Sequence, residues 1–373
     1  MNQACRLGLV LSACVFSSLG SAPALACGGG GVTSKAGLTT DSQRIFMSVR
    51  ATGKTDIVAQ ITVPQTTADY GVLIPVPDEP TLDSEPVSTA DLYALDRATA
   101  PVISSETDSS GGMSCGCGSA GDRAYKGGNG GVVVSSEVTI GPVQAVSLTA
   151  DSGDAVRAWL TDNGFTLPQG DEATLDRYVG AGKYFIALRR AESAATGGPT
   201  SIGIHYTLPG DHRMLSLGFT RIGAAPTLAL TLFLAAPKTI GPSEPFKALT
   251  LDALDAKTLR RSDYTSAVED AVAARASKAF VLESSTPIAD IAASVGGLAR
   301  FIDSGATITR ATTVIARDQI GDDVVFATPF SGNVPAQRYV SLGGLGVRYA
   351  SSMGTLALLL TAGALRRRSR ERR

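Results

Sequence analysis

The sequence predicts an α+β fold: antiparallel-rich mixed sheets with a few short helices, followed by a C-terminal transmembrane helix. Three observations lead there. Apolar residues make up 44% of the chain and charged residues 18%, which is enough side chain for a core and too little charge for a disordered chain. Stretches of period two and period 3.6 come in unequal blocks without a βαβ repeat. No motif recurs at the ~20–50-residue spacing of a solenoid.

The elements follow in order. Gly28 to Gly31 reads as a flexible lead. Gln43–Arg50, Thr55–Val63 and Tyr70–Val76 read as strands, the first two joined by a turn at Gly53-Lys54 and the third ended by Pro75, Pro77 and Pro80. Ser88 is placed to cap a helix carrying Leu92, Tyr93 and Leu95. Residues 103–131 are rich in Gly, Ser and Cys and read as a long surface loop. Strands resume at Val132–Val138 and Gln144–Thr149. A helix then opens at Asp151 or Ser152, carries Val156, Trp159 and Leu160 on one face, and stops at Asn163-Gly164. Leu175, Tyr178 and Val179 repeat that spacing in a second helix, ahead of a strand at Lys183–Leu188.

Ile202–Leu208, Met214–Thr220 and Thr227–Ala235 read as further strands, with a turn at Pro209-Gly210-Asp211. Ser262 begins a helix through Val268 and Val272. Ala279–Glu283 is short and extended, and Pro287 opens a helix over Ile288–Ala299. Thr307–Ile315 and Val324–Thr328 are the late strands.

The two ends read as address labels. Arg6, an apolar stretch from Leu7 to Leu19 and the small-residue site Ala24-Leu25-Ala26 have the order of a secretory signal over residues 1–26, cut by signal peptidase between Ala26 and Cys27. A lipoprotein signal also places Cys first, but it usually carries Leu where Ala24 stands; lipidation of Cys27 remains the minor alternative. At the other end, residues 349–365 carry no charge and are followed by a basic tail, 366–373, that includes Arg366, Arg367 and Arg368. As a helix this segment reaches about 26 Å, close to the ~30 Å of a hydrocarbon core. The arginines would remain cytoplasmic and leave residues 27–340 outside as the ectodomain. Arg6 contributes +1 and the segment after residue 348 contributes +5, so the whole-chain charge of −1 leaves −7 on residues 27–348. An acidic exterior argues against nucleic acid as a partner.

Several segments carry a resemblance. A-C-G-G at Ala26–Gly29 is followed by QRIFMSVR and YGVLIPVPDEP, then by LDRATAP and a Cys/Gly-rich loop. EVTIGPVQAVSLTA, AVRAWLTDNGFTLP, LDRYVGAGKYFIALR and DYTSAVEDAVAARASKAFVLE come after it. Together they resemble the bacterial family called domain of unknown function 2330, over most of residues 27 to about 330. The resemblance implies an exported, envelope-associated protein and no particular reaction. A second Cys expected soon after C-G-G is replaced here by Gly30, Gly31 and Val32. Gly343-Gly344-Leu345-Gly346, with the apolar run and arginines behind it, resembles a Gly-Gly carboxy-terminal sorting signal, which implies a rhomboid-type protease as a partner. Arg348, between the glycines and the apolar run, departs from that pattern.

The chemistry-bearing residues are few. Cys27, Cys115 and Cys117 remain after export; they read as disulfide candidates, with a redox or soft-metal role for the Cys115/Cys117 pair as the sharper alternative. Gly112 to Gly116 satisfies G-x-S-x-G but lacks the strand and helix that a nucleophile elbow needs. His205 and His212 could face each other across a hairpin and hold a metal, yet no third ligand accompanies them. The acidic pairs Asp78-Glu79, Asp171-Glu172, Glu269-Asp270 and Asp322-Asp323 read as solvated charge, and Trp159, Tyr178, Tyr184 and Phe185 as core. No catalytic residue and no cofactor is assigned. The leading reading is a non-enzymatic envelope protein with a structural or binding role. An exported hydrolase using metal or carboxylates, and a thiol-redox or metal-handling protein, stand as alternatives.

Overall fold

The structure is a computed structural model and describes residues 25–26, 29–33, 39–63, 71–104, 131–180, 183–191, 200–254, 264–330, 332, 334 and 339–341. The first part of the chain gives β1 (Leu25–Ala26), β2 (Gly31–Thr33), β3 (Thr40–Arg50), β4 (Lys54–Val63), β5 (Gly71–Val76), β6 (Thr81–Leu82), α1 (Thr89–Thr99) and β7 (Val102–Ser104). The middle gives β8 (Val132–Ile140), β9 (Val143–Ala150), α2 (Gly153–Asp162), α3 (Glu172–Asp176), β10 (Tyr184–Arg190), β11 (Thr200–Pro209), β12 (Met214–Leu215) and β13 (Ala224–Ala236). The last part gives β14 (Gly241–Pro242), β15 (Lys247–Thr250), α4 (Tyr264–Ala273), β16 (Ala279–Pro287), α5 (Ile288–Ile291), β17 (Thr307–Ala316), β18 (Val324–Ala327) and β19 (Tyr339–Ser341).

Among the described residues two large sheets dominate. One runs in the order β15-β16-β17-β13-β3-β4-β11-β6, with β1 added beside β3; the other runs β2-β5-β10-β9-β8. Most neighbours are antiparallel, but β3–β13 and β15–β16 are parallel, so the mixed, antiparallel-rich α+β class is observed. No helix among the described residues is long and apolar enough to cross a membrane. Residues 349–365, the basic tail, Gly343 and Gly344, the Gly/Ser/Cys loop with Cys115 and Cys117, and Cys27 lie outside the described residues.

Period two explains the layering, because successive side chains on a strand face opposite sides. On β5 and β10, Val72, Ile74, Ile186 and Leu188 face a large core shared with Ile45, Ile57, Ile204 and Leu232 of the other sheet. The alternate residues Leu73, Phe185 and Ala187 pack instead against Val156, Trp159 and Leu160 of α2 and against Phe165 and Phe219. The far face of the larger sheet has its own cover: Phe46, Val58 and Phe233 pack on Leu92 and Leu95 of α1 and on Leu298 and Phe301. The result is two sheets back to back with a helical layer outside each.

Four expectations are corrected. The lead at Gly29–Gly31 is buried, not flexible. The Gly29 N–H donates to Gln43 Oε1 (2.7 Å), and Gly31 begins β2. A Cβ on Gly30 would come within 2.8 Å of Ile74 and one on Gly31 within 2.7 Å of Ile222, so side chains are excluded by close approach. Pro75 does not end its strand but lies inside β5, opposite Phe185. On the other side β2 stops at Gly31–Leu73, so no neighbour there asks Pro75 for an N–H. Met214–Thr220 is a strand only at Met214–Leu215 and then coils into a 3-10 turn, Leu217–Arg221, where the Gly218 N–H goes to Asp323 Oδ1 (3.0 Å). The helix expected over Ile288–Ala299 is one turn of α5 followed by 3-10 turns, broken at Gly296 (φ +49°), next to which the Gly297 N–H donates to Asp91 Oδ2 (3.0 Å).

Candidate functional site

His205 lies in the middle of β11, opposite Val58 of β4, and only 6% of it is exposed. Its Nε2 is 3.0 Å from Asp56 Oδ1 and its Nδ1 is 3.3 Å from Asp83 Oδ2. Only an imidazole carrying both ring protons can donate to both carboxylates at once. The ring stacks on Phe301 with centroids 3.9 Å apart; the Arg300 guanidinium carbon lies 4.6 Å from the Phe301 ring centroid, and its Nη2 is 3.8 Å from Asp83.

Register builds the rest. Thr207, two residues along the same face of β11, donates to Asp56 Oδ1 (2.8 Å). Arg50, at the end of β3, donates to Asp56 Oδ2 (3.1 Å), to Asp303 Oδ1 (2.8 Å) and to the Arg300 carbonyl (3.2 Å). Burial alone would raise the Asp56 carboxyl. The hydrogen bonds from His205 and Thr207, the His205 charge and the Arg50 bond outweigh it and hold the group below its ordinary 3.8. Asp303 is held low chiefly by the Ala51 N–H (2.7 Å), then by Arg50. This has the components of a carboxylate–imidazole base, but both ring nitrogens are engaged and the ring is covered. Chemically it is a clasp that ties the loop before α1 and the 296–303 segment to the sheet.

His212 serves a different place, so the structure does not bring the two imidazoles together. Its ring donates from Nε2 to the Pro209 carbonyl (2.6 Å) and lies 3.9 Å from Asp78 Oδ2. It sits on an open groove of about 500 Å³ walled by Pro77, Asp211, Arg213, Met214 and Val325. Arg213 is forked onto Asp211, with Nε to Oδ1 at 2.7 Å, and Val325 is 51% exposed. Among the described residues no group of three or more His, Cys, Asp or Glu side chains is placed to hold a metal ion.

The acidic pairs divide. Asp322 meets Lys278 at 2.5 Å on the surface, and Glu269 and Asp270 lie on the outer side of α4. Asp171 is not solvated but 1% exposed, gripped by Arg317 Nη2 at 2.9 Å. Burial raises its carboxyl despite the charges of Arg317 and Arg221. Asp323 accepts from the Tyr178 hydroxyl, which burial and that carboxylate push above its ordinary range. Trp159, Tyr178 and Phe185 are core, and Tyr184 is half-buried.

Sequence reasoning missed a second network. Glu283, fully buried in β16, pairs with Arg310 of β17 and accepts from the Tyr264 hydroxyl; Arg310 Nη2 also donates to Asp96 of α1 (2.7 Å). The available signal was a charge of each sign inside two apolar strand runs, AFVLESSTP and TITRATTVIA.

No curated protein and no solved structure matches the chain. A family profile described as an uncharacterized protein conserved in bacteria matches residues 22–244, which spans β1 to β14 and takes in both His205 and the His212 side of the groove. The chain therefore belongs to the DUF2330 family.

Proposed function

We propose that this chain is an exported envelope protein with a binding role, held at the membrane by residues 349–365 and meeting its partner through the groove at His212 and Val325. The groove carries the reading. It is open, and it sets an exposed apolar residue and Met214 and Pro77 beside a fixed Arg213–Asp211 pair, the apolar-with-polar-rim composition of recognition surfaces. The His205 cluster supports the same reading, since both ring nitrogens are spent on holding elements together.

A photo-crosslinking residue at Val325 of the full-length protein in its own cells tests this. The expected result is one envelope component captured from Val325, not from a control at exposed Lys54, and lost in Arg213→Glu. Hydrolytic turnover by the purified protein that His212→Asn abolishes would overturn the binding role in favour of an exported hydrolase.

A further inference from the structure

The small sheet β12-β18-β14 ends on β12, with no further strand beside it among the described residues. Register shows which way that edge points. Met214 stands opposite Val325, and the Phe326 N–H donates to the Arg213 carbonyl (2.7 Å). A bond from the residue after Val325 to the residue before Met214 makes Met214–Val325 a pair that exchanges no hydrogen bonds of its own. The N–H and C=O of Met214 therefore point away from β18, and neither has a partner among the described residues. The other side of β18 is closed, because β14 lies there and the Ser243 N–H donates to the Val325 carbonyl (2.8 Å).

This edge has room beside it. Met214 and Val325 both line the open groove of about 500 Å³. Side chains of a pair of this kind lie close together on one face, so Met214 and the exposed Val325 form a single apolar patch next to the edge. The charged rim is largely spent on itself: Arg213 Nε and Nη2 go to Asp211, and His212 Nε2 goes to the Pro209 carbonyl. Pro77, also on the groove wall, has no N–H with which the chain could close the edge from within.

The groove thus offers a main-chain donor and a main-chain acceptor on one residue. A carboxylate or phosphate can supply acceptors only, and an acyl chain supplies neither. A residue of an extended peptide supplies both, in the spacing of a strand. We propose that the groove takes an extended peptide, which adds to β12 as an antiparallel fourth strand. One peptide residue exchanges both main-chain hydrogen bonds with Met214 and lays an aliphatic side chain on Met214 and Val325. This deepens the binding reading of the groove and rests on it.

The test begins with a random hexapeptide library displayed on phage, selected on purified full-length protein and counter-selected on Val325→Asp. Val325 is exposed, so that variant is expected to melt like the parent. Enriched peptides with an aliphatic residue are expected. In titrations of one synthetic peptide methylated at each main-chain nitrogen in turn, methylation at that aliphatic residue should weaken binding about tenfold, the scale of one lost hydrogen bond. Its immediate neighbours, whose N–H groups point the other way, should change less than twofold. Amide exchange at Met214 should slow when the parent peptide is bound. No enrichment over Val325→Asp, or methylation without effect at every position, would overturn strand addition. In the second case, with Val325 still capturing an envelope component, the groove would stand as a binding site read through side chains; with that capture lost as well, the groove reading would fall too. Dimerisation of the purified protein that Val325→Asp abolishes would name a second copy as the occupant and overturn the peptide assignment.

Discussion

Asp56 is where residue-scale physics is most concentrated. Its two oxygens accept from His205, Thr207 and Arg50, and 9% of its side chain is exposed. Replacing it by Asn leaves Arg50 and His205 facing an amide in a buried site, so Asp56→Asn is expected to lose roughly 3–5 kcal/mol in urea unfolding at neutral pH. The pH dependence follows from the direction of the shifts. Asp56 and Asp303 are both lower in the folded chain than in the unfolded one, so the unfolded chain binds more protons between the two values. The stability they contribute is complete above their ordinary range near ~4 and drains away as pH falls through the folded values. Urea midpoints measured from pH 6 downward should fall below that range, and Asp303→Asn should flatten the fall. An unchanged slope in Asp303→Asn would show that the clasp carries none of it. Asp171 runs the other way, since burial holds its carboxyl up, and it adds nothing to this acid loss.

At the scale of elements, β2 and the start of β3 are stitched into place by the chain ahead of β13. Val32 N–H donates to the Ile222 carbonyl (2.9 Å) and Thr40 N–H to the Gly223 carbonyl (3.0 Å). Gly223 has φ +67°, and a Cβ there would stand 2.4 Å from the Val32 carbonyl oxygen. Gly223→Ala therefore faces both backbone strain and a clash, and a loss of about 2–3 kcal/mol is expected by thermal or urea unfolding. Most strands and the helices α1, α2 and α4 were legible in the sequence because their burial is periodic and their ends carry local signals. Ser88 and Ser152 accept hydrogen bonds from Ala90 and Ala155, and Gly164 takes a positive φ after α2. What was not legible depended on distant partners. Gly29 to Gly31 looks like a linker until Val72, Ile74 and Ile222 are packed around it. Residues 288–299 have helical spacing, but Asp91, about two hundred residues earlier, takes the Gly297 N–H and breaks the run. His205 stood out in the sequence only as a metal candidate with His212, and its clasp was not legible because Asp56, Asp83 and Phe301 reach it from three separate parts of the chain.

On the scale of the whole molecule, the two back-to-back sheets give a body in which charges are fixed in pairs at the layer boundaries, Asp56 with Arg50 and Glu283 with Arg310. Residues 27–348 carry a net −7, while the two ends are each net positive. Cleavage after Ala26 would remove β1, which pairs with Thr40 and Ser42 of β3, and would leave the buried stretch from Gly29 onward in place. Mature protein is thus expected to keep the β2 and β3 packing without β1, and hydrogen exchange at Ser42 should be faster in a protein beginning at Cys27 than in one retaining residues 25–26. The central claim is that this is an exported body held at the envelope. Fractionation of the native cells with mass-spectrometric mapping of both chain ends tests it most directly. The predicted result is a chain beginning at Cys27 in the envelope fraction, with residues 27–340 open to protease added from outside. A chain that retains Met1 and fractionates with the cytosol would contradict it.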